Sequence, residues 1–427
     1  DTESAGYWQN TRANRGPFPV DQTDSRAPAL ISWLTEQGLR SHEREGFLQA
    51  FCEQMVALGM PLWRFHLAQR AFHPQFGGIG FSWTRTGGMS QERYEHRQAP
   101  RDAWLQSPLF HLLAEDLEEF RSDLNDQHVI RFPMLGDLRA QGVTDYFAFG
   151  LRFSDEKVPL DPSRPSEGVL ISLSSDHPDG FSERDLSLLR SIAPHLGLAL
   201  KSMSNQQMAK DLLQVYLGRD AGRRVLSGEI QRGSSDRINA VICLFDLKGF
   251  TSLAEQVPGP EVIDMLNDYF GIAVTVIQSH GGNILKFMGD GMLTMFNLGS
   301  LSKDAKAALD AASELRQKIR LRNIERAEAG LPAPGFTLAL HAGDILYGNI
   351  GSENRLDFTV IGPIVNQTAR ISGLHHSVGQ SVILSQEVQR AGAEAGHDLV
   401  SLGRYMLRSV AEPIELFTIY ETLNQPR

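Results

Sequence analysis

Apolar residues recur at helical spacing twice near the start of the chain. Ile31, Leu34 and Leu39 mark one helix, and Phe47, Phe51, Met55 and Leu58 mark a second. Strand-like stretches follow at residues 62–70 and 79–85, then a polar stretch and a helix near 109–120. Residues 144–153 and 168–174 read as two further strands, separated by a loop containing Pro159, Pro162 and Pro165. From Ser182 the pattern turns helical, with Ser182 and Asp185 as an N-cap pair. Leu189, Ile192, Leu196, Ala199 and Met203 then form a short heptad-like seam, which Pro194 and Gly197 interrupt with an expected kink. Helical character resumes through Leu212, Val215 and Leu217 to Val225. The first half of this seam fits packing on its own domain and pairing with a second chain equally well. The second half fits dimer contacts better.

From about Ile238 the texture changes. Residues 241–245 are a continuous apolar run, as expected of a buried strand. A helix over 260–279 buries Val262, Leu266, Tyr269, Ala273 and Val276; Pro260 suits its first turn and Gly281-Gly282 stop it. Residues 283–296 read as a hairpin with Met288-Gly289-Asp290-Gly291 at its tip. A second long helix spans about 303–327, and short strands follow near 336–340, 345–350 and 358–361. A helix begins at Pro363, and further strand patterns run to Tyr420. This order predicts an α+β chain whose C-terminal part is a ferredoxin-like sheet with helices on one face.

A length of 427 residues implies two to three domains. Lys+Arg is 41 and Asp+Glu is 51, a formal net charge of −10, which argues against a protein that lives on a nucleic-acid backbone. Two cysteines, Cys52 and Cys243, cannot build a disulfide framework. The sequence has neither a long uninterrupted apolar window nor a secretory leader pattern, so the expectation is a cytoplasmic protein without a membrane span. Residues 1–28 are polar and proline-containing and read as a flexible arm.

Three segments carry candidate chemistry. In Phe245-Asp246-Leu247-Lys248-Gly249-Phe250-Thr251 a carboxylate ends a buried strand just before a glycine turn and a helix start. That puts an oxygen ligand suited to Mg²⁺ beside backbone N–H groups suited to phosphate. The bland reading is a cap or turn aspartate. In Lys286-Phe287-Met288-Gly289-Asp290-Gly291, Asp-Gly is also a commonplace hairpin signal, but Lys286 interrupts an apolar strand where a charge needs a partner. In the third, residues 359–370, a strand passes through Gly362-Pro363 into a helix on which Asn366 and Arg370 share a face. An arginine fork suits a transferring phosphoryl group, although a solvated arginine would explain the position taken singly.

Together, and in this order, FDLKGFT, GGNILKFMGDGMLTMF, HAGDILYGNIG and DFTVIGPIVNQTAR resemble the class III nucleotidyl cyclase catalytic domain. The resemblance covers about 238–421. It implies that Asp246 and Asp290, with the Leu247 carbonyl, hold two Mg²⁺ (or Mn²⁺) against the phosphates of ATP. It implies Arg370 on the α-phosphoryl oxygens, Asn366 on the ribose, and Gly249, Phe250, Thr251 and Arg408 on phosphate. Lys286 and Thr359 would select the base: a donor-only lysine fits adenine N1, and a hydroxyl can accept from N6. Guanine presents a donor at N1, which lysine cannot accept, so ATP is expected over GTP. Many members of the family carry Asp where Thr359 stands. Threonine there is similar to a subgroup described as bicarbonate-responsive, which implies higher turnover with added bicarbonate. An Asp is common in the family where Pro363 stands, which implies an altered loop. Family members build each site from two catalytic domains, so a homodimer with shared sites is implied. The alternatives are a catalytically silent cyclase-like module, a guanylate cyclase, or a polymerase-palm or diguanylate cyclase relative, whose GGDEF-like hairpin is absent here.

Residues 29–205 resemble, more loosely, a GAF-type α/β sensory domain, through TDYFAFGLRF, GVLISLSS and FSERDLSLLRSIAPHLGLAL. Trp63, Phe65, Phe72, Phe76, Phe81, Trp83, Tyr146, Phe147 and Phe149 would line an aromatic pocket or form an ordinary core. His66 and His73 lack companions at ligand spacing. The expected organisation is this sensor with an unknown ligand, a helical transducer at 206–236, and the cyclase domain at 237–423.

Overall fold

The structure is a computed structural model. It describes residues 24–40, 43–71, 73, 75–96, 102–126, 130–153, 168–408 and 410–420. Most of the expected arm, Phe72 and the proline loop lie outside the described residues. The chain divides into two compact units, Asp1–Leu212 and Leu213–Arg427.

In the first unit, α1 (Ala27–Leu39) and α2 (Arg44–Ala57) precede β1 (Arg64–Arg70), β2 (Phe76–Thr84) and β3 (Gly88–Glu95). Then come α3 (Asp102–Leu105), α4 (Pro108–Ala114), β4 (Glu119–Asp123), α5 (Pro133–Ala140), β5 (Asp145–Arg152), β6 (Gly168–Ser175) and α6 (Glu183–Leu217). The strands form one antiparallel sheet in the order β3-β2-β1-β6-β5-β4. Strand alternation divides its side chains between two cores. Phe65, Leu67, Phe147 and Ile171 pack with Leu34, Phe51, Ile192 and Leu196 from α1, α2 and α6. Tyr146 and Ala148 pack on the other face with Leu109, Leu112, Leu135 and Leu138 from α4 and α5.

Several expectations change here. The seam residues Leu189, Ile192, Leu196, Ala199 and Met203 are buried in this unit's own core, so they are not free to pair with a second chain. α6 runs unbroken past Pro194. Ser182 and Asp185 do cap it reciprocally, with Ser182 Oγ donating to Asp185 Oδ2 at 2.7 Å and the Asp185 N–H donating to Ser182 Oγ at 3.2 Å. Of the aromatic residues, Phe65, Phe81, Trp83, Phe147 and Phe149 are buried in one core and Tyr146 in the other, as the ordinary-core alternative expects. The helix expected to 120 stops at Ala114, and Phe120 belongs to β4. β3 escaped notice because it is an edge strand, largely exposed and written in polar residues.

The second unit contains α7 (Arg219–Leu226), β7 (Ser235–Leu247), α8 (Phe250–Ala254), α9 (Gly259–Ser279), β8 (Asn283–Met288) and β9 (Gly291–Phe296). α10 (Leu301–Glu328), β10 (Phe336–Gly351), β11 (Leu356–Ile361), α11 (Pro363–Ser372) and α12 (His375–Val378) follow. β12 (Val382–Ser385), α13 (Gln386–Ala391), β13 (Leu399–Tyr405) and β14 (Ile414–Ile419) complete it. The sheet order is β13-β14-β12-β10-β7-β9-β8, with β11 paired to β10. Its centre, β10-β7-β9-β8, is antiparallel throughout, and α9 and α10 make the two crossovers of a ferredoxin-like fold. Odd-numbered residues of β7 (Val241, Cys243, Phe245, Leu247) pack under α9 and α10. Gly282 is needed where α9 turns into β8, since a Cβ there would lie 2.5 Å from the Ile277 side chain.

Helices are not confined to one face. Ala221 of α7 and Ile364 of α11 join Ala240 and Ile242 on the opposite side of the sheet. The two strands expected at 336–340 and 345–350 are one strand, β10. The apparent gap is where α11 docks: a Cβ on Gly343 would lie 2.6 Å from the Ile364 side chain. Among the described residues, no helix is long and apolar enough to cross a membrane.

Candidate active site

Since the odd residues of β7 face α9 and α10, Asp246 points to the other side of the sheet, at the end of an inner strand. It lies opposite Gly291 of β9 and Thr337 of β10. The β8–β9 turn is fastened to this strand end, because the Leu247 N–H donates to the Asp290 carbonyl at 3.2 Å. Gly289 takes the left-handed conformation the turn requires, with φ 64°. A Cβ on Gly291 would lie 3.0 Å from the Phe245 carbonyl oxygen and 3.1 Å from Asp246 Oδ1. The Asp-Gly pair therefore makes room for a carboxylate as well as turning the chain.

The Asp246 carboxyl is pushed above the usual carboxylate range, first by burial and then by the charge of Asp290, against a smaller opposing hydrogen bond from the Leu247 backbone. Two facing carboxylates are costly to ionise together, and a cation between them relieves that cost. Among the described residues no cluster of three or more His, Cys, Asp or Glu is found. Two carboxylates without a full protein cage fit Mg²⁺, which commonly takes one or two carboxylates and completes its shell with water and substrate phosphate.

Beyond Asp246, the Lys248 N–H donates to the Gly335 carbonyl at 2.8 Å, and Gly249 turns the chain with φ 69° into α8. Phe250 packs against the core beneath α9 and α10, while Thr251 is exposed. The first-turn N–H groups of α8 thus follow the aspartate directly.

Lys286 is on β8, an edge strand with a bulge between Ile284 and Lys286. It is 52 % exposed and not buried in an apolar strand as its sequence neighbours implied. Its Nζ donates to Asp357 Oδ2 at 2.6 Å. Thr359 stands two residues further along β11, opposite Gly348. Phe358 and Val360 point inward to the core, so Asp357 and Thr359 share the other face of that strand.

On α11, Thr368 and Ile371 are buried against the sheet, and Gln367 Oε1 lies 2.6 Å from Nε2 of the buried His341 on β10. Asn366 is exposed and Arg370 half-buried. Among the described residues, no hydrogen bond or ion pair joins either of them to Asp246, Asp290 or Lys286. One chain therefore brings the two aspartates together, and separately brings Lys286 to β11, but does not join Asn366 and Arg370 to the aspartates.

Residues 234–421 match the family model described as "Adenylate and Guanylate cyclase catalytic domain". This part of the chain is an adenylate/guanylate cyclase catalytic domain. The chain is 32% identical over 166 residues to an adenylate cyclase of Anabaena cylindrica, covering 38% of this chain and 32% of that protein. It is 29% identical over 219 residues to an uncharacterised protein of Mycobacterium tuberculosis, covering 51% of this chain and 38% of that one. The chain thus spans well under half the length of these curated relatives. Among solved structures, the adenylyl cyclase CyaB from P. aeruginosa is similar at 22% identity and a TM-score of 0.41, covering 45% of this chain and 98% of that one. The guanylyl cyclase Cya2 is similar at 32% identity and a TM-score of 0.39, covering 44% of this chain and 97% of that one.

Within the cyclase domain, Pro363 occupies the first turn of α11, where its fixed φ and missing N–H are tolerated. Arg408 is exposed in the segment that follows β13. Two residues near the site escaped the sequence reading. His341, between Ser385 Oγ at 2.8 Å and Gln367, anchors α11 from below. Asp357 could have been found by strand alternation, since it is two residues from Thr359.

Proposed function

We propose that the cyclase domain converts ATP to 3′,5′-cyclic AMP and pyrophosphate. The observation that carries this reading is Asp246 beside Asp290, fixed by a backbone hydrogen bond, with the Asp246 carboxyl raised in pKa first by burial and then by the Asp290 charge. Asp246, Asp290 and the Leu247 carbonyl would hold two Mg²⁺ (or Mn²⁺), which when bound supply acidification of the ribose 3′-hydroxyl and neutralisation of the triphosphate. The first-turn N–H groups after Gly249, at Phe250 and Thr251, receive phosphate oxygens. Asn366 orients the ribose so that O3′ faces the α-phosphorus. The 3′-hydroxyl gives its proton to water as the O3′–P bond forms and the bond to the pyrophosphate oxygen breaks, and Arg370 stabilises the charge on the α-phosphoryl oxygens. Loss of such a group costs about 3–4 kcal/mol. Arg408 is assigned to the outer phosphates. Lys286 donates to adenine N1 and Thr359 accepts from N6.

Among the described residues no hydrogen bond or ion pair joins Asn366 or Arg370 to the aspartates, which is consistent with sites shared between two copies in a homodimer. The N-terminal unit, an antiparallel sheet between two helical layers, is consistent with a GAF-like sensor. Residues 206–236 would act as its transducer, by shifting the balance between productive and unproductive dimers. Incubating the purified chain with Mg-ATP or Mg-GTP and separating the nucleotides tests the activity. Cyclic AMP from ATP, with little product from GTP, is expected. No cyclic nucleotide under either Mg²⁺ or Mn²⁺ would leave a silent cyclase-like module.

A further inference from the structure

We infer that Asp357 is a positioning residue for the base-reading lysine and so helps to set nucleotide specificity. This rests on the cyclase reading above. Lys286 projects from an edge strand, and a lysine has a long flexible stem carrying three donors with no fixed direction. Left to solvent, it would spread over many rotamers, and binding a base would have to order it. Asp357 gives it a direction. The carboxylate stands on β11, whose Phe358 and Val360 are buried on the inner side and whose backbone pairs with β10 from Leu356 to Ile361. It accepts from Lys286 Nζ at 2.6 Å.

The direction matters because of what occupies position 359. A threonine there provides no carboxylate to hold the ammonium, and its hydroxyl can donate as well as accept. Alternation along β11 puts Asp357 on the same strand face as Thr359, two residues away. The ammonium is thereby held toward the Thr359 side with two N–H donors left over for an acceptor. Adenine N1 offers that acceptor and guanine N1 does not. Both partners are about half exposed, so the pair adds little to folding stability. Its consequence is selectivity.

The test uses the full chain with Asp357→Asn, Asp357→Glu, Lys286→Met and the double variant Lys286→Met/Asp357→Asn. For Asp357→Asn, kcat/KM with ATP should fall roughly fivefold, carried by KM with kcat nearly constant. The ATP-to-GTP ratio should narrow by a similar factor, and Asp357→Glu should recover most of it. Binding of 3′-deoxy-ATP, which lacks the attacking hydroxyl, gives a readout independent of turnover. There Asp357→Asn should weaken binding in the wild-type background and add nothing in the Lys286→Met background. Unchanged KM values and an unchanged ratio in Asp357→Asn overturn the inference while the cyclase reading stands. An equal loss in both backgrounds also overturns it, since the carboxylate would then not act through Lys286. If the unsubstituted chain makes no cyclic nucleotide, the reading beneath the inference fails and the inference fails with it.

Discussion

Each unit places an aspartate at the end of an inner strand, and the two are treated in opposite ways. Asp145, which begins β5, is 2% exposed and held by Arg121, whose Nη2 donates at 2.9 Å. The Phe181 N–H donates to the same carboxylate, also at 2.9 Å. Asp246, which nearly ends β7, is also pushed out of water, but its charged neighbour is Asp290. The contrast teaches what burial of a carboxylate means. Where a guanidinium and a backbone N–H compensate it, the group belongs to the fold. Where a second carboxylate faces it, ionising both carries a cost that a proton or a bound metal cation relieves, and such uncompensated pairs mark function.

The largest expected effect separates the two directly. Asp246→Ala should lower cyclase turnover by two or more orders of magnitude, as for loss of a group acting on the reacting centre. The same change should leave thermal stability equal or higher, because a repulsive buried charge is gone. Asp145→Ala should do the reverse, costing about 2–3 kcal/mol of stability through the lost charge-assisted hydrogen bonds. Parallel melting curves and initial rates would measure both. Equal destabilisation by the two substitutions would erase the distinction.

A smaller effect sharpens the comparison through pH. His66 in β1 lies 2.9 Å through Nδ1 from Ser82 Oγ, and burial, with some help from the Arg64 charge, lowers its pKa from 6.5 to about 4. The unfolded chain therefore takes up a proton first on acidification. Stability from His66 is full above pH 6.5 and is lost as pH falls toward about 4. Asp246 has the opposite sign, since its raised pKa makes protonation favourable in the folded state. Mild acid should thus loosen the first unit through His66, while in the second unit His341 and His375, whose pKa values burial also lowers, act in that same direction and Asp246 opposes them. Hydrogen exchange resolved by segment would show it, and His66→Gln should flatten the response of the first unit. An acid response of the first unit left unchanged by His66→Gln would contradict this assignment.

The catalytic half of the fold was legible because its strands are buried on both faces or alternate cleanly. The run 241–245, the helix α9 with Pro260 in its first turn, and the Asp-Gly hairpin each announce themselves locally. β3 did not, because nothing apolar is needed on an exposed edge strand. Nor did the continuity of β10, since its middle is written for docking α11 and not for hydrophobicity. Candidate residues could be named from their motifs, but their placement on the elements could not. That Thr368 and Ile371 are buried while Asn366 is exposed depends on which face of α11 meets the sheet. The partner of Lys286 depends on two strands 71 residues apart in sequence.

We propose that the site is completed only when a second copy supplies Asn366 and Arg370 to the aspartates of the first. Asp246→Ala and Arg370→Ala chains should each be inactive when purified separately. Mixed in equal amounts and allowed to exchange, they should recover about a quarter of wild-type cyclic AMP formation. Half the dimers are then mixed, and each mixed dimer has one intact site of its two. Recovery near that level supports the shared site. No recovery, with subunit exchange independently demonstrated, would contradict it.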